Sequence, residues 1–360
     1  EHKYSWQTSP IMIGYRQSLF GYNSLKWDKR IEPVRYQEAK KSYVETLELV
    51  SANAINKFFA LATAQSNYDI ASFNYANADT LYRYAQGRYN IGTITENEML
   101  QLELNRLTEE TNRMNARIEM DNCMQELRSY LGIQEEREIR VRVSSRIPDF
   151  SINLNEALAL AYENSPDIQT MKRRKLESES AVARARANAG LKADIYLRFG
   201  LTQTADKLPE AYRNLLDQQY VSLSISLPIL DWGRGKGQVR VARSNRDLVY
   251  TQVEQNRTDF ELNVRKLVKQ FNLQTQRVRI AARTDETAQR RNEVARKLYI
   301  LGKSTILDLN ASISEKDSAR RNYVSALYNY WSLYYTLRSM TLYDFESNKL
   351  LTEDYNLLIE

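Results

Sequence analysis

A single histidine, His2, and a single cysteine, Cys123, are all that this sequence offers for chemistry that needs an imidazole or a thiol. A Ser-His-Asp triad or a histidine-rich zinc site would need more partners than that. Cys123 stands between Met120 and Met124 in a helical run and reads as a small core residue. Alone, it forms no disulfide within the chain. Gly233-Arg234-Gly235-Lys236-Gly237 follows a strand-like run and opens a helix, which invites a phosphate-loop reading. It lacks both the Gly-Lys-Ser/Thr ending and the G-x-G-x-x-G spacing, so a tight turn with basic residues fits it better. Glu109/Glu110 and Glu135/Glu136 are adjacent in sequence and diverge on a helix, so neither makes an acid–base dyad. These residues describe a protein that is not an enzyme, with no metal site and no cofactor.

A different set of residues recurs. Shifted by 210 positions, the chain aligns with itself without a gap: Tyr89, Gly92, Thr95 and Glu98 fall on Tyr299, Gly302, Thr305 and Asp308. Asn112 and Ala116 fall on Asn322 and Ala326, and Leu127-Arg128-Ser129 falls on Leu337-Arg338-Ser339. Generic coiled-coil similarity does not preserve such a pattern in one register, so the chain is internally duplicated. Gly92 and Gly302 are placed to close a helix in the left-handed conformation. Thr95…Glu98 and Thr305…Asp308 then read as capping boxes that open the next helix. Each repeat therefore holds a helical hairpin.

The elements that position these turns follow. The first repeat, 1–140, is expected to hold a strand at 11–20, a long helix at about 29–88 and a helix at about 95–131. The second, 141–360, is expected to hold a helix at about 154–189, strands at 194–203 and 219–228, a long helix at about 236–300, a helix at about 305–340 and an equatorial segment at 341–360. No Gly or Pro interrupts 238–301, a run that could span roughly 90 Å as a helix. Phe260, Val264, Leu267, Phe271, Val278, Ala281, Ala288 and Ala295 give it a coiled-coil seam. The first long helix is rich in alanine and tyrosine, and alanine seams let helices approach closely.

The strands alternate. Ile11, Ile13, Tyr15 and Leu19 share one face of the first; Ile195, Leu197, Phe199 and Leu201 share one face of the second; Val221, Leu223, Ile225 and Leu227 share one face of the third. Their lengths suit a transmembrane strand of about 9–11 residues. Phe20, Tyr22, Trp27 and Trp232 flank the ends as an interfacial girdle would. Three or four strands cannot close a barrel, and lipid does not tolerate an open edge, so the strands must be completed by copies of the chain. No apolar run reaches the ~20 residues of a transmembrane helix. The 51 basic and 45 acidic residues are interleaved, for a net charge of +6, which argues against nucleic acid as a partner. A mean hydropathy of −0.59 puts most of the chain in water.

These residues resemble the TolC-like outer-membrane efflux proteins along nearly the whole chain. "LNEALALAYENSPDI" (154–168) resembles the family's helix opening, with Pro166 at the break, and "LPILDWGRGKGQV" (227–239) its strand-to-helix junction. "YNIGTITENEM" (89–99) and "YILGKSTILDL" (299–309) resemble its two hairpin tips. The resemblance implies a mainly α fold with a small β part: duplicated long helical hairpins forming an α-barrel of coiled coils, and transmembrane strands contributed to a trimeric twelve-stranded barrel. It implies a homotrimer in the Gram-negative outer membrane, extending into the periplasm, in contact with outer-membrane lipid. It further implies a periplasmic adaptor (membrane fusion protein) and an inner-membrane pump as partners, with the hairpin tips Tyr89, Gly92, Thr95, Glu98, Gly302 and Thr305 as adaptor contacts. In the family, a Tyr, an Arg and two Asp near the second tip hold a periplasmic aperture shut. Tyr299 and Asp308 match the Tyr and the first Asp, while Ser304 and Ala311 replace the Arg and the second Asp. The latch is therefore expected to be weaker, or rebuilt from pairs such as Lys303 with an acid on a neighbouring helix.

The helix and strand that precede 219–228 in the second repeat have no counterpart before the first. About 60 further residues and an export signal are expected upstream, since nine strands, an odd number, do not close an antiparallel barrel. Two other readings remain: the exit duct of a type I protein secretion system, and a soluble periplasmic coiled-coil adaptor. An adaptor would carry a lipoyl-like or barrel domain between its hairpin halves, and the sequence shows none.

Overall fold

The computed structural model describes residues 5–134, 138–144 and 147–351; His2, Glu135, Glu136 and the end of the equatorial segment lie outside them. The order is β1 (Trp6–Phe20), α1 (Ser24–Asn90), α2 (Glu96–Tyr130), α3 (Leu154–Asn164), α4 (Pro166–Ala189), β2 (Lys192–Ala205), β3 (Leu216–Ser226), α5 (Arg234–Ile300), α6 (Ile306–Thr341), β4 (Tyr343–Asp344) and β5 (Lys349–Leu350). The offset of 210 extends to the boundaries. Trp6 maps onto Leu216, Ser24 and Asn90 onto Arg234 and Ile300, and Glu96 onto Ile306. The long helices α1 and α5 each have 67 residues.

Compactness divides the chain differently from the repeats. One unit joins residues 1–40 to 166–260, the other 41–165 to 261–360, so each draws on both sequence halves. Ser165, extended ahead of Pro166, separates α3 from α4, as the residue before a proline prefers.

The first unit holds the antiparallel sheet, in the order β1-β2-β3. Its register aligns Ile13 with Phe199, Tyr15 with Leu197 and Val221, and Ile195 with Leu223, so the apolar residues share one face. Gly14, Arg198 and Tyr220 align on the other, where the tyrosine rings of residues 196 and 220 pack edge-to-face at 6.1 Å. The observed elements depart from the expected bounds in several places. β1 starts at Trp6, not residue 11, because Pro10 sits in a register shift between Thr8 and Ile11, where a strand tolerates a residue without an N–H. A second shift between Ser18 and Phe20 takes Leu19 out of the regular alternation. α1 likewise starts at Ser24 and runs through Pro33, earlier than expected; Asn23 Oδ1 accepts the Lys26 N–H at 2.9 Å and caps it.

The second unit is a helical core. Ala64, Ala71, Ala78 and Ala85 are buried at heptad spacing along α1. Phe271, Tyr330, Tyr334 and Phe150 form an aromatic cluster with centroid separations of 5.1 to 5.9 Å. Tyr330 is fully buried, and its hydroxyl donates to the Pro148 carbonyl at 3.1 Å. Met120, Leu127, Leu61 and Ala64 form another cluster, with Cys123 packed against it. No helix is long and apolar enough to cross a membrane, among the described residues.

Candidate functional site

The two hairpin tips share a local design. Gly92 and Gly302 have φ of +73° and +70°, and their N–H groups donate to the carbonyls of Tyr89 and Tyr299 at 2.8 and 2.9 Å. Thr93 and Lys303 reach one residue further back, to Arg88 and Leu298, completing a Schellman closure. Both capping boxes form: Thr95 Oγ1 accepts the Glu98 N–H, Thr305 Oγ1 accepts the Asp308 N–H, and each carboxylate accepts its threonine's N–H in return.

The tips then diverge. Ser304 Oγ donates to Asp308 Oδ2 at 3.2 Å and Thr305 Oγ1 donates to the same oxygen at 2.7 Å. These hydroxyls, Thr305 foremost, hold the Asp308 carboxyl below its ordinary pKa. Tyr299 is half-buried and burial pushes its pKa up. It lines a cavity of about 180 Å³ with Leu81, Tyr84, Asn292, Leu309 and Ile313. Its repeat mate Tyr89 is exposed. Lys303 is exposed and forms no ion pair among the described residues. Sequence reasoning did not single out Ile91, Leu301 and Leu307, each exposed by two thirds or more. Such side chains at a turn signal a surface that meets something else, and the apolar type of Ile91 and Leu301, each just before a glycine, was the available cue.

Behind the second tip the helix seam turns polar. Asp285 Oδ2 accepts from Arg320 at 3.1 Å and from Gln289 at 3.0 Å, and Asn292 donates to Ser312 Oγ at 3.0 Å. Asn74 of α1 donates to Asp317 Oδ2 at 2.6 Å, and Lys316 lies 3.2 Å from Oδ1.

At the strand–helix junctions, Asp231 accepts the N–H groups of Gly233 and Gly235 at 2.9 and 2.8 Å, which leaves the glycine loop no free amide cradle for a phosphate there. A Cβ on Gly235 would lie 2.9 Å from Ala189 Cβ, so the glycine is what lets α5 start against the end of α4. Trp232 is 95% exposed and Phe20 is also exposed. Tyr22 is not: it is half-buried, hydrogen-bonded to Ser180 at 2.6 Å and covered by the Arg184 guanidinium at 4.6 Å. Trp27 is half-buried under Arg30. The sequence pattern treats all four alike, because only tertiary packing decides which rings are partly covered.

Residues 157–341, more than half the chain, match the sequence profile of outer membrane efflux proteins. The chain belongs to the outer membrane efflux protein family. No curated protein sequence matches it. Among solved structures, it is similar to the CmeC outer membrane channel of Campylobacter jejuni, with 15% identity, 99% of this chain and 80% of that one covered, and a TM-score of 0.75. The outer membrane protein VceC of Vibrio cholerae shares 15% identity over 94% of this chain and 87% of its own, with a TM-score of 0.68. The open-state MtrE outer membrane channel of Neisseria gonorrhoeae shares 14% over 98% and 82%, with a TM-score of 0.60. These likenesses establish the efflux-protein fold: mainly helical, with long duplicated hairpins and a small β part.

Proposed function

We propose that this chain is one subunit of a homotrimeric exit duct in the Gram-negative outer membrane. Its strands join those of two other copies in the twelve-stranded barrel that the family resemblance implies, and its helices form a periplasmic tunnel. The duct is passive. Small molecules pass through it, driven by an inner-membrane pump that connects through a periplasmic adaptor. The tips around Gly92 and Gly302 meet that adaptor, and Tyr299, Ser304 and Asp308 surround the tunnel's inner opening, with Lys303 beside them.

The observation that carries this reading is the sheet. β1 and β3 each pair on one side only, among the described residues. Its apolar face leaves Ile11, Ile13, Tyr15, Val221 and Leu223 exposed. In water such a face with open edges invites aggregation. In lipid the face is satisfied but open edges are not, so closure by further copies resolves both. The capping boxes support the second part, since they fix each tip's backbone while leaving apolar side chains free for a partner.

Single-channel recording of the full-length protein in a planar bilayer tests this. The expected result is discrete conductance from an oligomer. A protein with neither conductance nor membrane association overturns the duct.

A further inference from the structure

The three places where the chain passes between strand and helix lie side by side, because Phe20 pairs with Ala193 and Lys192 with Ser226. The first carries Lys26, Lys29 and Arg30, the second Arg184, Arg186 and Lys192, and the third Arg234, Lys236, Arg240 and Arg243. Residues 20–32, 182–194 and 229–243 set these ten cations against four acids, an excess of six that equals the net charge of the whole chain. The opposite end of the sheet, 204–217, has two cations against three acids. The positive charge of the protein is thus concentrated on one edge of one sheet.

All but Lys192 of these cations are exposed. Among the described residues only Arg30 has an ion pair, with Glu179 at 3.7 Å. Next to them, past the end of β3, stand Leu227, Ile229, Leu230 and Trp232, all exposed. An apolar band ending in an aromatic and then in cations, all but Arg30 without an ion pair, matches a bilayer in cross-section: acyl chains, interface, anionic headgroups.

We propose that this edge binds anionic phospholipids of the periplasm-facing leaflet. Ile229 and Leu230 lie among acyl chains, Trp232 at headgroup depth, and Arg234, Lys236 and Arg240 against the phosphates. Because Asp231 already accepts the amides that open α5, the phosphates meet side chains and not the helix terminus. The proposal rests on the membrane reading above. An acidic face on another copy would also attract the cations, but it would not account for the apolar residues beside them.

The test uses full-length protein in phosphatidylethanolamine vesicles that contain brominated phosphatidylglycerol or, at equal mole fraction, brominated phosphatidylethanolamine, with quenching of tryptophan fluorescence as the readout. Quenching is expected to favour phosphatidylglycerol several-fold. That preference should fall to parity in R234E/K236E/R240E, and in the unaltered protein it should fall as NaCl is raised to screen the charges. Equal quenching by the two lipids overturns the proposal while leaving the duct intact. So does a preference that survives both the substitutions and salt. Equal quenching together with a variant that no longer oligomerises assigns the cations to contacts between copies instead. Absence of quenching by either lipid overturns the membrane reading itself.

Discussion

Arg338 offers the sharpest test of what holds the second unit together. Its Nη2 donates to Glu48 Oε1 at 2.9 Å, and its Nε lies 2.9 Å from Glu48 Oε2 without the alignment of a hydrogen bond, an ion pair of α6 with α1. Nη1 lies 3.5 Å from Asp344 Oδ2 in β4, and the Tyr335 ring covers the guanidinium at 5.0 Å. Tyr334 also donates to Asp344. Burial alone would lower the Arg338 pKa, but Glu48 and then Asp344 outweigh it and hold it above the usual guanidinium value. The Glu48 residue is only 8% exposed. Arg338→Ala would therefore strand a carboxylate with little access to water, a loss of about 3–5 kcal/mol for a broken buried pair. Arg338→Lys keeps the charge but loses the planar group that meets Glu48, Asp344 and the Tyr335 ring together, and should cost about 1–2 kcal/mol. Amide hydrogen exchange of the full-length protein over residues 334–346 reads this locally. Arg338→Ala should lower protection by about two orders of magnitude or more, as far as global stability allows. Adding Glu48→Gln should recover part of the loss, because it removes the stranded charge. Protection within threefold of the unaltered protein, or no recovery in the double variant, would refute the pairing as the anchor.

Two further outcomes follow from the turns. Because Asp308 has a depressed pKa in the fold, its carboxylate favours the folded tip above the ordinary carboxylate range and loses that contribution as pH falls through the lower folded value. Exchange protection of the first turn of α6, corrected for intrinsic rate, should fall near the acid end of a series from pH 7 to 3, and Asp308→Ala should remove the step; the same variant should weaken divalent-cation block of the channel from the periplasmic side. Leu342, at φ +47° and 3% exposed, occupies the position that Gly132 holds in the first repeat. Leu342→Gly should relieve about 1 kcal/mol of left-handed strain but forfeit about 3 kcal/mol of burial and packing, so thermal or denaturant unfolding should show a net loss near 2 kcal/mol; a stabilised variant would refute that balance.

What the sequence made legible was whatever local chemistry decides. The glycine turns and capping boxes need only residues within ten positions of each other, and both formed as read. The duplication was readable because the same local demands recur at one offset, and the element boundaries keep that offset. The strand runs back past Pro10 to Trp6, and only the pairing with β2 places that proline at a bulge. The contacts of Tyr22 were not legible, because Ser180 and Arg184, which hold it, stand 158 and 162 residues away.

The seam of α5 shows the same limit with more consequence. Val264, Phe271 and Val278 occupy one heptad position, and the next two turns of that position are Asp285 and Asn292, all five buried. Read along the chain, a charged or amide residue in a heptad counts as surface, so the sequence traced the seam through Ala281, Ala288 and Ala295 instead. What makes burial tolerable is supplied by α6: Arg320 for one carboxylate oxygen of Asp285 and Ser312 for Asn292. A buried polar group is stable only when its partner is in place, and the partners stand 35 and 20 residues further on. The last heptads before the Gly302 tip are thus joined by hydrogen bonds and an ion pair where the earlier ones are joined by apolar burial. Polar pairs fix the register of two helices while adding less stability than an apolar seam. The hairpin is aligned most specifically where it is held least tightly, next to the turn that bears Tyr299, Ser304 and Asp308.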